Sequence, residues 1–155
     1  AGKADINRLA VAGDASGPVL DLALESRLQA LRPLPPKPAD RTAMVHLMGN
    51  MQGSTWSMAG GPVVAREGQR IEIAMMNMSM MSHPMHLHGH HFQVTAINGQ
   101  RFMGAMRDTV LVPPMQTVTV ALDANNPAKA WAFHCHHLYH MASGMMSALS
   151  YEGTA

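Results

Sequence analysis

The strongest constraint on this chain is one stretch near its C-terminus, His134-Cys135-His136-His137-Leu138-Tyr139-His140-Met141-Ala142-Ser143-Gly144-Met145. It contains the only cysteine of the chain, which has a histidine on each side and a further histidine and a methionine after it. A thiolate, imidazoles and a thioether form a soft ligand set, and two histidines and a cysteine with a weak axial methionine select copper for electron transfer. Cys135, His140 and Met145 would supply three of these four ligands.

The second imidazole has to come from another segment, and His83-Pro84-Met85-His86-Leu87-His88-Gly89-His90 offers one. Successive side chains of a strand point to opposite faces. If Cys135 ends a strand, its two neighbours point away from it, and His83 likewise points away from His86 and His88. The alternation therefore predicts two sites on opposite faces, joined by the backbone of Cys135: one of His83, Cys135, His140 and Met145, and another of His86, His88, His134 and His136.

Both segments resemble the copper motifs of a known family. HPMHLHGH and HCHHLYHMASGM look like the two motifs of the C-terminal cupredoxin domain of multicopper oxidases, especially bacterial laccases and copper-resistance oxidases. The resemblance implies an all-β, cupredoxin-like Greek-key sandwich or barrel with a type 1 copper site. It also implies half of a trinuclear copper cluster where dioxygen is reduced to water. In that cluster, the residue of the family that matches His86 binds the type 2 copper. The residues that match His88, His134 and His136 bind the type 3 pair.

The resemblance further implies a function as an enzyme, a laccase-like oxidoreductase. A phenol-like reductant or Cu(I) would give single electrons to the type 1 site, and Cys135 would pass them to His134 and His136. The other half of the cluster belongs, in the family, to a first cupredoxin domain, so a complementary domain or subunit is an expected partner. The alternative is a stand-alone blue-copper carrier or copper-storage protein without oxidase activity, in which the second set of histidines is unused. Assembly of several copies into a ring ranks third.

Zinc is the main rival metal, since histidine and cysteine also suit it. The methionine ten positions after Cys135 favours copper. His90, His91 and His137 are expected to orient ligands rather than to bind metal, and His46 is expected to be an ordinary surface or packing residue. The chain has 16 methionines. They either fill gaps in the core or bind Cu(I) near the type 1 site, and the sequence leaves both interpretations open.

Composition limits the other function classes. The chain has 155 residues, with 11 lysines and arginines against 10 aspartates and glutamates. This near-neutral balance favours neither nucleic acid nor an anionic membrane as a partner, and no apolar run reaches the length of a membrane span. A start at Ala1 without an initiator methionine fits a processed or excised piece of a longer precursor. The family resemblance favours a periplasmic or otherwise exported location.

Two regions are expected along the chain. Residues 1–42 are interpreted as a linker or arm, and they could be the tail of a preceding domain: a short strand at 6–11, an amphipathic helix from Val19 to Leu31, and a stiff proline-rich connector at 33–38. Residues 43–155 are expected to form the cupredoxin domain, with a loop or helical turn at 138–144. Strands are predicted at 43–48, 62–65, 69–78, 91–97, 109–112, 116–122, 130–134 and 146–151.

Overall fold

The computed structural model describes Gly17 and residues 20–153 of the chain. The strand predicted at 6–11 lies outside the described residues. Within them, twelve strands and one short helix, α1 (Leu138–Ala142), follow a single 3-10 turn at Glu25–Arg27. The strands are β1 (Arg41–Asn50), β2 (Thr55–Ala59), β3 (Val63–Ala65), β4 (Arg70–Asn77), β5 (His83–Leu87), β6 (Phe92–Ile97), β7 (Gln100–Arg101), β8 (Met106–Arg107), β9 (Thr109–Val112), β10 (Thr117–Asp123), β11 (Ala130–Cys135) and β12 (Met146–Tyr151).

The strands form two sheets that face each other across one core. The first has the order β2-β1-β4-β10-β6-β7, with β8 also paired to β6, and the second has the order β3-β12-β11-β5-β9. Alternate residues of each strand point inwards, as Ile71, Ile73 and Met75 do on β4. Packing of two such faces buries the apolar side chains of both sheets. The fold is a cupredoxin-like β-sandwich, which confirms the predicted fold class.

All eight predicted strands are present, with ends displaced by no more than a few residues. Two longer strands were not predicted. β5 carries Pro84 and two histidines in five residues, so its composition does not mark it as a strand. β2 has a single buried residue, Trp56, and its other side chains are exposed or half-buried. The helical turn predicted within 138–144 is present as α1.

The prediction of an amphipathic helix from Val19 to Leu31 is wrong for the described part of this segment, in which the only helical element is the 3-10 turn at Glu25–Arg27. A helix of this length is marginal unless one face packs against the protein. Here Leu20, Leu24 and Leu31 are exposed, and Leu22 is the only one of these leucines that is buried. The leucine spacing therefore has no surface against which a helix could be stabilised.

The proline-rich connector is held against the first sheet by one buried side chain, Arg70. Its guanidinium forms a two-pronged ion pair with Asp123, with distances of 2.6 and 3.1 Å. It also donates to the carbonyl oxygens of Pro35 and Lys37, at 3.2 and 3.4 Å. Arg70 is only 5% exposed, so each of these partners satisfies a donor that water cannot reach.

We expect Arg70→Lys to lower the free energy of unfolding by about 1.5–3 kcal/mol, in the range of hydrogen bonds to charged groups. An ammonium keeps the charge but cannot reproduce the planar fork and the two carbonyl contacts. Urea denaturation of the metal-free chain measures the change. Arg66→Lys is the matched control, because the Arg66 side chain is 67% exposed and pairs only with Glu152. Equal stability of the two variants would show that Arg70 does not hold the connector.

Candidate metal centre

The pairing of β11 with β5 sets the geometry of both groups of histidines. His134 lies opposite His86 and Cys135 lies opposite Met85 in the antiparallel register. Directly opposed residues share a face of the sheet, so His134 and His86 point to one side. Cys135 points to the other side, as does His83, two residues before Met85. The segment is extended over His83–Leu87, which is the condition that the alternation required.

The inner face brings together His83, Cys135 and His140. The Nδ1 atoms of the two histidines are 3.1 Å apart, and each is 3.8 Å from the Cys135 sulfur. All three ligand atoms lie within 4.8 Å of one another. His83 and Cys135 are fully buried and His140 is 4% exposed. Two nitrogens and a sulfur that converge on one point in a dry environment fit a soft transition-metal ion.

Met145 is tied to this group through its backbone. Its N–H donates to the carbonyl oxygen of His140 at 2.9 Å, and its carbonyl oxygen accepts from the N–H of Cys135 at 3.1 Å. The side chain of Met145 is fully buried. The sequence predicted Met145 in this site, and the structure places it in the same buried region of the core.

A polar network on the far side of the His83 ring holds that ring in place. The Nε2 atom of His83 lies 2.6 Å from the Ser79 hydroxyl. Ser79 in turn donates to the side-chain oxygen of Asn77 at 2.9 Å. The Asn77 amide is fixed by two carbonyl oxygens, those of Met81 at 2.7 Å and Val112 at 2.9 Å. Because Nε2 is engaged with Ser79, Nδ1 is the nitrogen free to bind a metal.

Trp56 covers the His140 ring. The two rings are stacked with centroids 3.8 Å apart, and the Trp56 ring is also 5.5 Å from the His83 ring. A side chain on Gly49 would collide with the indole, at 2.1 Å, so the bare glycine of β1 leaves room for it. Trp56 is itself 4% exposed. Trp56 of β2 thus contacts both rings, and His83 and His140 expose no more than 4% of their surface to solvent.

The outer face of the same strands gathers the other four histidines. The ring centroid of His86 lies 5.0 Å from that of His88, 5.6 Å from that of His134 and 4.8 Å from that of His136. The Nε2 atoms of His88 and His134 are 2.9 Å apart. His88 and His136 are exposed, so this group lies at the surface of the described residues. The structure thus brings together the four histidines that alternation assigned to one face; their role as copper ligands stays a prediction.

Further polar groups orient this second set. The carbonyl oxygen of Asp108 lies 2.9 Å from Nδ1 of His86, and the Thr109 hydroxyl lies 3.0 Å from it. His90 bridges the carbonyl oxygen of His88 and the hydroxyl of Tyr151, each at 2.9 Å. His90 is therefore a buried support for His88, which agrees with its predicted orienting role. Arg107, next to Asp108 in sequence, forms an ion pair with Glu25.

Sequence reasoning missed Trp56, Asn77, Ser79 and Thr109 as parts of the site. Ser79 precedes His83 by four residues, and this proximity was the one available signal. Trp56 contacts His140 only through long-range packing, which no sequence spacing shows. His137 was excluded as a ligand; it is exposed, with its ring 4.9 Å from His140.

Burial sets the electrostatics of the inner group. Desolvation, followed by the charges of His140 and His137, lowers the pKa of His83 to about 4. Desolvation likewise lowers the pKa of His140 and raises the pKa of the Cys135 thiol. The imidazoles are therefore neutral at pH 7, with their lone pairs available to a metal. A bound cation would deprotonate the thiol, because ligation favours the thiolate.

Comparison with known proteins places this geometry in a family. The sequence profile described as "Multicopper oxidase" matches residues 32–153. The chain belongs to the multicopper oxidase family. It is 41% identical over 113 residues to the multicopper oxidase MmcO of Mycobacterium tuberculosis, covering 69% of this chain and 22% of that protein. It is 37% identical over 118 residues to the copper resistance protein A of Escherichia coli, covering 72% of this chain and 19% of that protein.

Solved multicopper oxidases have the same fold. The enzyme McoA of Aquifex aeolicus superposes with a TM-score of 0.65 at 26% identity, covering 78% of this chain and 32% of that one. A metallo-oxidase of Campylobacter jejuni gives the same TM-score at 22% identity, covering 78% of this chain and 31% of that one. This chain thus spans about a fifth of the length of the curated relatives that it matches. Multicopper oxidases are oxidoreductases that use copper. Separately, no helix among the described residues has the length and apolar character to cross a membrane.

Ser79 offers a direct test of the network behind His83. We expect Ser79→Ala to weaken copper binding by about 10–100-fold, as the loss of a partner that orients a ligand does. Without the hydroxyl, the ring loses its anchor at Nε2 and can rotate away from Cys135. Competition titration with a copper chelator measures the affinity, and electron paramagnetic resonance reports any change in ligand geometry.

Ser82→Ala is the matched control for this test. Ser82 is adjacent to His83 but, in the described part of the chain, its hydroxyl has no hydrogen-bond partner. An unchanged affinity and resonance spectrum in Ser79→Ala would mean that packing around His83 suffices to orient the ring.

Proposed function

We propose that this chain is the electron-accepting domain of a multicopper oxidase that oxidises a small reductant, phenol-like or Cu(I), and reduces dioxygen to water. The observation that carries the proposal is the division of the ligand-type side chains between the two faces of β5 and β11. Cys135 faces the inner group, and its neighbours His134 and His136 belong to the outer group. One short piece of main chain therefore connects two potential metal sites.

The residues of the inner group would hold a type 1 copper: His83, Cys135, His140 and Met145. Copper bound there supplies one-electron redox chemistry. The protein contributes a fixed ligand set and a dry environment. The ligand atoms of His83, Cys135 and His140 converge, and all three residues are fully or almost fully buried. Ser79 fixes the ring of His83, and the stacked Trp56 fixes the ring of His140.

The residues of the outer group would supply half of a trinuclear cluster: His86, His88, His134 and His136. The exposure of His88 and His136 supports this, because a cluster shared with another domain needs ligands that this chain does not bury by itself. The described residues contain no second group of histidines that could complete the cluster. Cys135, with His134 and His136 on either side of it, provides the covalent route for electrons between the two sites.

The burial of His83 and His140 bears on the reductant. An electron from a donor in solution would have to cross the covering layer that includes Trp56, whose ring stacks on His140. Tyr139 is 60% exposed and its ring centroid is 6.5 Å from that of His140, so α1 presents an exposed aromatic side chain beside the site. A periplasmic or otherwise exported location is part of the proposal, and it rests on the resemblance to copper-resistance oxidases.

Copper stoichiometry with the visible spectrum and oxygen uptake tests the proposal. The chain is loaded with copper, and both measurements are repeated after addition of the histidine-bearing domain that precedes it in a longer relative. We expect one copper per chain with an intense blue band and no oxygen uptake from the chain alone. Added complementary domain should raise the copper content and produce oxygen uptake in the presence of a phenol.

Two other outcomes would indicate a different function or a different metal. A blue band that never leads to oxygen uptake, even with a complementary domain bound, would favour the stand-alone electron carrier. Colourless binding with a preference for zinc would contradict the type 1 assignment altogether.

A further inference from the structure

The outer face of the seven-stranded sheet carries a row of soft side chains that the two proposed copper sites do not use. On β1, Val45 and Leu47 are fully buried, whereas Met44 and Met48 are 49% and 36% exposed. His46 lies between them with intermediate exposure. Since alternate residues share a face, Met44, His46 and Met48 line up on the outer surface of β1.

The neighbouring strand continues this row sideways. β4 runs parallel to β1, and the register places Met76 directly beside His46. Beyond the end of β4, the N–H of Met78 still donates to the carbonyl oxygen of Leu47 at 2.8 Å, so Met78 lies beside Met48. Met76 and Met78 are 37% and 53% exposed. Four methionines and one histidine therefore lie next to one another on a single surface.

Strand geometry makes Met44, Met48 and Met76 the direct neighbours of His46, with Met78 beside Met48. Paired strands are about 4.8 Å apart, and residues two positions apart on one strand are separated by roughly 6.6 Å. Methionine is unbranched with three rotatable bonds. Its sulfur can therefore swing from an adjacent position towards the ring of His46 without any movement of the backbone.

The surroundings leave room for a ligand. The outward neighbours of the row are small: Ala74 beside Met44, Ala59 beside His46, and Ser57 beside Met48. Among the described residues, the His46 ring makes no hydrogen bond or ion pair. The nearest outward carboxylate on β4 is Glu72, and it is engaged by Arg101. A site of thioethers and imidazole without carboxylates suits a soft metal ion and excludes calcium and magnesium.

These four methionines do not fill gaps in the core. A core-filling methionine is buried, as Met75 and Met85 are, whereas each member of this row exposes more than a third of its surface. Two exposed methionines on either side of the half-exposed His46, with two more exposed methionines alongside, form a continuous patch of metal-binding groups.

We propose that Met44, His46, Met48, Met76 and Met78 form a surface site for a soft monovalent metal ion, Cu(I) or Ag(I). The site lies on the outer face of the first sheet, whereas His83, Cys135 and His140 lie inside the sandwich. It would bind the reduced ion reversibly from solution, with no covalent or redox step at the site itself. The proposal does not depend on the type 1 assignment, because it uses none of those ligands.

Silver titration of the Cys135→Ser chain tests the proposal. Ag(I) is the probe because it is a redox-inert soft cation, and the serine removes the buried thiolate that would compete for it. Calorimetry gives the affinity, and the methyl resonances of the methionines, assigned by single substitution, give the location. We expect the methyl signals of Met44, Met48, Met76 and Met78 to shift first.

Two triple variants provide the comparison. Met44→Leu/Met48→Leu/Met76→Leu removes three thioethers from the row, and Met51→Leu/Met103→Leu/Met115→Leu removes three other exposed thioethers. Leucine is close in volume to methionine, so both variants should keep the fold. We expect the first to weaken Ag(I) binding about tenfold or more, which is about 1.4 kcal/mol per factor of ten, and the second to leave it unchanged.

Equal binding by the two triple variants would overturn the proposal. So would silver-induced shifts that avoid this row, or that spread evenly over all exposed methionines. His46→Gln covers the case in which the first triple variant folds poorly, because it removes only the imidazole from a half-exposed position. Undiminished binding in His46→Gln together with unshifted methyls in the row would count against the site.

Discussion

Replacing Cys135 by serine should abolish the intense blue absorption of the copper-loaded chain. The colour of such sites depends on a copper–thiolate bond, and a serine hydroxyl supplies neither a thiolate nor a soft sulfur. The residue is fully buried and its sulfur lies 3.8 Å from both histidine nitrogens. Removal of the sulfur therefore changes the ligand set without opening the site to solvent. Visible absorption and copper content per chain are the measurements.

His137→Gln is the matched control for the colour. His137 is exposed, lies two positions after Cys135 and is not a member of either histidine group. Its loss removes an imidazole from the same segment but should leave the blue band intact. Far-ultraviolet circular dichroism checks that both variants keep their strands. A blue band that survives in Cys135→Ser, or that disappears in His137→Gln, would place the metal elsewhere.

The two groups of histidines could be predicted from sequence because they depend on a local rule. Once β5 and β11 are extended, the direction of each side chain follows from its position number, and the register between the strands then joins the segments. His140 and Met145 lie beyond the strand. Their placement came instead from the soft ligand set that the segment offers, and α1 together with the backbone bonds of Met145 is what the structure adds.

The layer that covers the inner group could not be predicted. Trp56 approaches His140 across more than eighty residues of sequence, and this contact depends on the packing of β2 over α1. Ser79 was similarly missed, because its hydroxyl acts through the turn between β4 and β5, whose shape is set by the Asn77 amide.

The fold was predictable where apolar and polar residues alternate, and it was not where a strand carries functional side chains. β4 and β10 have regular inward residues and were found at nearly their observed bounds. β5 has histidines in place of some of these residues, so its pattern reflects metal chemistry as well as burial. The predicted helix in the arm failed for the opposite reason: its spacing is regular, but among its described leucines only Leu22 is buried against the core.

The outer face of β10 is not exposed to solvent, although its sequence alternates. Thr119 and Ala121 point outwards, yet they are only 8% and 4% exposed. Part of the cover comes from the proline-rich connector, which Arg70 and a hydrogen bond from the N–H of Leu34 to Gln93 hold against this sheet. Alternation along a strand identifies its two faces, but it does not show which other segment packs on the outer one.

Acid should destabilise the metal-free chain well before its carboxylates are protonated. In the folded chain the pKa of His83 is about 4, whereas the ordinary value is 6.5. Below pH 6.5 the unfolded chain therefore takes up a proton at this residue, while the folded chain resists it until about pH 4. Stability rises with increasing pH wherever the unfolded state binds more protons. It therefore decreases as the pH is lowered through this window. The full stabilising contribution is present above pH 6.5 and is lost as the pH falls towards 4.

The expected loss from His83 is about 3 kcal/mol, since each pKa unit corresponds to about 1.36 kcal/mol. The lowered pKa values of His90 and His140 add to it in the same direction. Urea denaturation of the metal-free chain at several pH values between 7 and 4 measures the effect. His83→Gln, which cannot titrate, should show a flatter dependence over this window. Parallel curves for the two chains would mean that His83 gains a proton in the folded state as readily as in the unfolded one, contrary to its complete burial.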